Sequence, residues 1–208
     1  MKILLNGYKP PSDEMGKVAA ILGPALVEGG HELVATEGEA EVMVDFTAPG
    51  AVVANVLRAL EAGVPCVVGT SGWDVAEVED AALAAGLPVF FAPNFALGAV
   101  LMMRFAREAS HHLPAAEIVE LHHQTKVDSP SGTAIATAAG MQGLVPIHSI
   151  RLPGLVAHQE VILGGRGETL SIRHDTTSRE AFVPGVELAL SRLSDLPPGV
   201  TVGLDTLL

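Results

Sequence analysis

Residues 41–47, Glu41-Val42-Met43-Val44-Asp45-Phe46-Thr47, and residues 65–70, Pro65-Cys66-Val67-Val68-Gly69-Thr70, decide the fold. Each is a short apolar run that stops at small polar residues. Between them a helical pattern covers 51–62. The alternation extends in both directions. Residues 2–6 and 32–35 read as strands around a helix at 16–28, which ends at Gly29-Gly30. Further on come a helix over 75–85, ended by Gly86, and a strand at 88–92. Strands alternating with helices and punctuated by glycine build an α/β, doubly wound parallel sheet. Ligands of such sheets lie beyond the carboxyl ends of the strands. Those ends carry Gly7, Asp45-Phe46-Thr47, Gly69-Thr70-Ser71-Gly72 and Ala92-Pro93-Asn94.

After Asn94 the texture changes. A long helix over 97–112 precedes a strand at 116–123, a helix at 133–141 and three strands at 147–152, 158–163 and 169–175. Consecutive strands without intervening helices imply an antiparallel or mixed sheet, hence a second, smaller α+β domain. A helix at 186–193 and a strand at 200–204 close the chain.

The chemistry concentrates in Glu120-Leu121-His122-His123-Gln124-Thr125-Lys126-Val127-Asp128-Ser129-Pro130-Ser131-Gly132-Thr133-Ala134. Two imidazoles and an ammonium fall within five residues. A Pro-Ser-Gly-Thr helix start follows, and backbone N–H groups at such a start bind anions. The segment reads as a site for a small anionic substrate with a proton donor at hand. An isolated His-His pair is more often ordinary strand packing, and Lys126-Val127-Asp128 alone would be a solvated turn; the adjoining anion site argues against both. Metal binding is not expected, because adjacent strand histidines point to opposite faces.

These residues resemble the signature Glu-x-His-His-x-x-Lys-x-Asp-x-Pro-Ser-Gly-Thr-Ala of the 4-hydroxy-tetrahydrodipicolinate (dihydrodipicolinate) reductase family, matching every fixed position. The likeness continues through Asp45-Phe46-Thr47, Gly69-Thr70-Ser71-Gly72-Trp73, Ala92-Pro93-Asn94-Phe95 and Thr177-Ser178-Arg179. It implies a Rossmann-type dinucleotide-binding domain at 1–96 and 185–208, and a substrate-binding and oligomerisation domain at 97–184. The implied activity is NAD(P)H-dependent reduction of the dehydrated cyclic imine of 4-hydroxy-tetrahydrodipicolinate, in diaminopimelate and lysine biosynthesis. His122 matches the general acid, Lys126 the substrate anchor and His123 a substrate contact. Ser131, Gly132 and Thr133 would hold a carboxylate. The substrate is thus a small dicarboxylate, and the resemblance implies a homotetramer. His111, His112, His148, His158 and His174 read as structural.

Cofactor contacts implied by the resemblance are Gly7, Lys9, Met15, Phe46, Thr47, Gly69, Thr70, Ser71, Ala92, Pro93, Asn94 and Phe95. The family turn Gly-x-x-Gly-x-Met-Gly is altered here. Its middle glycine is missing, the loop is three residues longer, and Pro10, Pro11, Asp13 and Glu14 stand where phosphate is expected. Glu37, after the second strand, reads either as the acid on the adenosine ribose hydroxyls or as a solvent-facing loop residue. No Arg or Lys follows it, and Lys9 could meet a 2′-phosphate, so NADH and NADPH both remain open as cofactors.

A chain of 208 residues with 49% hydrophobic and 17% charged residues buries a core without staples. The net charge of −12 repels nucleic acid and anionic membrane, so neither is an expected partner. It also repels an anionic substrate, which local cations must therefore draw in. No apolar run reaches the ~18 residues of a membrane span. The single cysteine, Cys66, cannot form a disulfide within the chain and suits a reducing, cytoplasmic setting. Two rival readings stand beside the reductase: another NAD(P)-linked enzyme sharing only the fold, and a nucleotide-sensing module without catalysis.

Overall fold

The computed structural model describes residues 1–8, 16–113 and 115–208. Six parallel strands form one sheet in the order β10-β5-β4-β3-β1-β2. They are β1 (Lys2–Asn6), β2 (Glu32–Leu33), β3 (Val42–Asp45), β4 (Cys66–Val68), β5 (Pro88–Phe91) and β10 (Gly199–Val202). Their side chains alternate between two faces. Leu4, Met43, Cys66, Val68 and Val89 pack against Val52, Val56 and Leu60 of α2 (Pro49–Glu61) and Val78 and Ala82 of α3 (Ala76–Ala85). Ile3, Val44, Val67 and Phe90 point the other way, towards α1 (Ala19–Glu28) and α6 (Val183–Arg192), which contact each other. Each such Val or Leu contributes about 1.5–3 kcal/mol of burial.

The expected elements are present, with three local differences. Helix α1 starts at Ala19, because Gly16 bonds back to Gly7 O at 3.1 Å and the chain turns through Val18. Strand β2 keeps only two residues, paired with Lys2 and Ile3. Helix α2 begins earlier than the apolar pattern, with Pro49 in its first turn, where a missing N–H costs nothing.

The second sheet is mixed, in the order β7-β6-β8-β9. Strand β6 (Ala115–His122) runs parallel to β7 (Ile147–Arg151) and antiparallel to β8 (Ala157–Gly165), which pairs antiparallel with β9 (Glu168–Thr176). Helices α4 (Leu97–Ser110) and α5 (Gly132–Gly140) cover one face. Met102, Ala106 and Ala134 there meet Ala116, Ile118, Val161 and Leu163. The other face carries Val119, Leu121, Ile150 and Ile162, partly or fully accessible. The chain divides into two compact units, Met1–Phe95 with Phe182–Leu208, and Ala96–Ala181. Among the described residues no helix is long and apolar enough to cross a membrane.

Candidate active site

In the first unit the strand order reverses at β1, with β2 on one side and β3 on the other. A crevice therefore opens at the carboxyl ends of β1 and β3. Gly7 sits there at φ +89°, and a Cβ on it would meet the Phe46 carbonyl oxygen at 3.2 Å. Only glycine brings the turn this close to β3. Bare backbone at the switch point and small hydroxyl residues on neighbouring strand ends fit a dinucleotide.

A fully buried carboxylate, Asp45, organises this edge. Its Oδ1 accepts from Thr47 N (3.1 Å), Thr47 Oγ1 (2.8 Å) and Thr70 Oγ1 (2.9 Å). Its Oδ2 accepts from Asn55 Nδ2 (2.7 Å) and Asn6 Nδ2 (3.3 Å). One side chain thus ties the ends of β1, β3 and β4 to α2. Burial and the Asp45 charge push the Cys66 thiol well above its ordinary range, leaving it inert.

The Phe46 ring lies where a Cβ on Gly69 would stand, and Phe95 packs against it at 5.5 Å. Both rings belong to the core, so only their backbone is available to a ligand. Ala92 is buried, while Ser71 and Pro93 are exposed and Asn94 half-buried. Glu37 does not stand at a strand end. It opens a 3-10 turn, Glu37–Glu39, and Arg58 of α2 reaches it, Nε to Oε1 at 3.4 Å. The arginine that reaches Glu37 thus comes from a helix, 21 residues further on. Lys9 and Met15 lie outside the described residues.

The second unit holds the signature. Glu120 and His122 are two apart on β6 and share the face that α4 and α5 cover. Glu120 is fully buried. Its Oε2 meets His122 Nδ1 at 2.5 Å. Arg151, paired with His122 across β6 and β7, grips both oxygens: Nη1 to Oε2 at 2.8 Å and Nη2 to Oε1 at 2.7 Å. Burial alone would raise the Glu120 carboxyl, but hydrogen bonds from Arg151, Ser149 and His122 overcome it and hold it at about 2. Burial also pushes the His122 imidazole below its ordinary value. Glu120 opposes this shift, and the Lys126 and Arg151 charges add to it.

Beyond His122 the chain turns. His123 Nδ1 lies 2.8 Å from Thr125 Oγ1. Lys126 Nζ meets both oxygens of Asp128, at 2.7 and 2.8 Å, which lowers the Asp128 carboxyl. Ser131 caps α5, its Oγ accepting from Ala134 N at 3.2 Å, while its own N–H reaches Glu120 Oε1 at 3.3 Å. Ser131 is thus committed inside the protein. Gly132 and Thr133 supply the N–H groups of the first helical turn, which have no partner within the helix. Glu120, Arg151, Asp45 and Asn55 were not among the expected site residues. The alternation of Glu120 with His122 could have revealed the first.

The two halves of the chain match the family models described as dihydrodipicolinate reductase, N-terminus, over residues 6–95, and C-terminus, over residues 98–208. The chain belongs to the dihydrodipicolinate reductase family. The 4-hydroxy-tetrahydrodipicolinate reductase of Moorella thermoacetica is 47% identical over 81% of this chain and 73% of its own. That of Beutenbergia cavernae is 44% identical over 88% of this chain and 87% of its own. Among solved structures, a dipicolinate-bound dihydrodipicolinate reductase from Paenisporosarcina sp. TG-14 superposes with a TM-score of 0.82. It is 27% identical and covers 100% of this chain and 98% of that one. Membership of the dihydrodipicolinate reductase family sets aside both rival readings, a different reductase on the same fold and a nucleotide sensor.

Proposed function

We propose that His122 and Lys126 carry out, in this chain, the reaction for which its family is named. That reaction is the reduction of 4-hydroxy-tetrahydrodipicolinate, through its dehydrated cyclic imine, to tetrahydrodipicolinate in diaminopimelate and lysine biosynthesis, with NADH or NADPH. The first unit holds the cofactor through Gly7, Thr47, Gly69, Thr70, Ser71 and the backbone of Phe46 and 92–95. Bound there, the nicotinamide supplies a hydride.

A hydride added to one carbon of a conjugated ring leaves a proton to be added elsewhere, so the protein must supply H⁺. His122 delivers it as the imidazolium. An imidazole pushed below its ordinary value is a ready donor, since its conjugate base is weak. Lys126 anchors the anionic substrate by exchanging its Asp128 contact for a substrate carboxylate. The Gly132 and Thr133 amides hold a second carboxylate at the start of α5, and His123, next to His122 in sequence, is a further contact.

The observation that carries this reading is the arrangement of a buried acid–imidazole pair, a lysine and an open helix start within one turn of chain. That a relative binds dipicolinate, a planar dicarboxylate, supports it. In the test, His122→Gln and Lys126→Ala retain the fold and cofactor binding while kcat falls ~10²–10⁴-fold, the usual size for a lost general acid. Near wild-type turnover in both variants would overturn the reading.

The open face of the second sheet, with Val119, Leu121, Ile150 and Ile162, supports a homo-oligomer, and by resemblance a tetramer. Light scattering that gives the chain mass of 21.5 kDa would refute this. The lone buried thiol supports work in a reducing cytoplasm.

A further inference from the structure

We propose that Glu120 and Arg151 are positioning residues that set the tautomer of the His122 imidazole and lock it to the Lys126 loop and the start of α5. This rests on His122 being the proton donor. Glu120 is ionised throughout the neutral range and can only accept. The Nδ1 of His122, 2.5 Å away, must therefore carry its hydrogen. Nε2 is then the atom left for substrate, and the ring that remains after proton delivery is the Nδ1–H form.

Arg151 fixes Glu120 in turn. Its planar fork makes two parallel bonds to the carboxylate, a geometry that lysine lacks. The same guanidinium donates from Nη2 to Asp128 O at 2.8 Å. Asp128 holds Lys126 Nζ. Glu120 also accepts from Ser131 N, at the cap of α5. One ion pair, half of it from outside the signature, thus touches His122, the Ser131 cap of α5 and, through Asp128, the Lys126 loop.

The charged groups around His122 are Glu120 on β6, Lys126 and Asp128 in the following turn, and Arg151 on β7. Their signs make a directional test possible. In substrate-free enzyme labelled in its histidines, NMR reads the His122 titration midpoint and the tautomer of the neutral ring, with His122→Gln giving the assignment. Glu120→Gln removes the stabilising negative charge and moves the midpoint down by about 1 unit or more. Arg151→Met removes a repelling positive charge and moves it up by a similar amount. Arg151→Lys returns the midpoint towards wild type but, without the fork and the Asp128 contact, leaves kcat about 10-fold low. A structural role alone would lower kcat in all three with the midpoint unmoved. Should Arg151→Met not fold, the Glu120→Gln midpoint and the kcat of Arg151→Lys decide the matter. Unmoved midpoints in Glu120→Gln and Arg151→Met, wild-type kcat in Arg151→Lys, or a neutral wild-type ring protonated at Nε2, overturn the proposal. Full turnover in His122→Gln instead overturns the proton-donor assignment.

Discussion

Each unit is built around one fully buried carboxylate, and the two are solvated in opposite ways. Asp45 receives five hydrogen bonds, all from neutral amides and hydroxyls. Glu120 receives its bonds from a guanidinium and an imidazole, with the Ser149 hydroxyl and a backbone N–H beside them. Neutral donors can fasten several chain segments to one point without adding a second charge. Cationic donors fasten equally well, and they also couple the carboxylate to a proton. The cofactor edge needs only shape, whereas the signature needs shape and a titrating group.

The sharpest break in this contrast is removal of Glu120. Glu120→Ala leaves Arg151 without its buried counter-charge, and we expect about 3–5 kcal/mol of lost stability. Loss of the oriented donor should cost ~10²–10⁴-fold in kcat. Denaturant unfolding and steady-state kinetics measure the two effects.

Asp45→Asn is the counterpart at the other edge. An amide nitrogen in place of one oxygen would face the donors of Asn55 and Asn6, costing about 1–3 kcal/mol. Cofactor affinity should fall, read by fluorescence titration with NADH and NADPH. The pH profile of kcat should stay in place, because every donor to that carboxylate is a neutral amide or hydroxyl. A shifted profile would erase the distinction between the carboxylates.

Acid sharpens the comparison further. The folded Glu120 carboxyl titrates at about 2, below its ordinary 4.5, so its contribution is complete above 4.5 and is lost as pH falls through the folded value. That shift corresponds to on the order of 3 kcal/mol. His122 acts in the same direction. Its folded value is depressed, so the unfolded chain takes up that proton first as pH falls below 6.5. Stability should thus decline in two stages on acidification, and Glu120→Gln should shrink the lower one, to which Asp128 and Asp175 also contribute. The smallest effect belongs to Ser131→Ala. It loses the α5 cap, at about 1 kcal/mol, and leaves the His122 midpoint unchanged, since Ser131 reaches Glu120 through its backbone.

Much of this was legible in the sequence. Period and punctuation located both sheets, because a run such as Val42–Asp45, buried on both faces, has little alternative to a parallel strand. The signature located His122, Lys126 and the start of α5, since its residues are close in sequence. Arg151 was not legible. It joins Glu120 only through the parallel pairing of β6 with β7, and no local pattern encodes that register. The surroundings of Glu37 were hidden for a related reason. The sheet pairs only Glu32 and Leu33 of the expected second strand, so the acid falls on the turn beyond and meets Arg58.

Strands β6 and β7 flank α5 as a strand–helix–strand unit, so His122, the α5 start and Arg151 all stand at carboxyl ends of parallel strands. The smaller unit thereby repeats, with a single crossover, the placement rule of the larger one. A consequence is that the linker over 141–146 works as a length gauge. One residue inserted there could shift β7 along β6 while leaving the whole signature intact. Because side chains alternate, that slip would turn Arg151 to the far face of the sheet. The enzyme would keep every residue of its motif and lose the wiring between them.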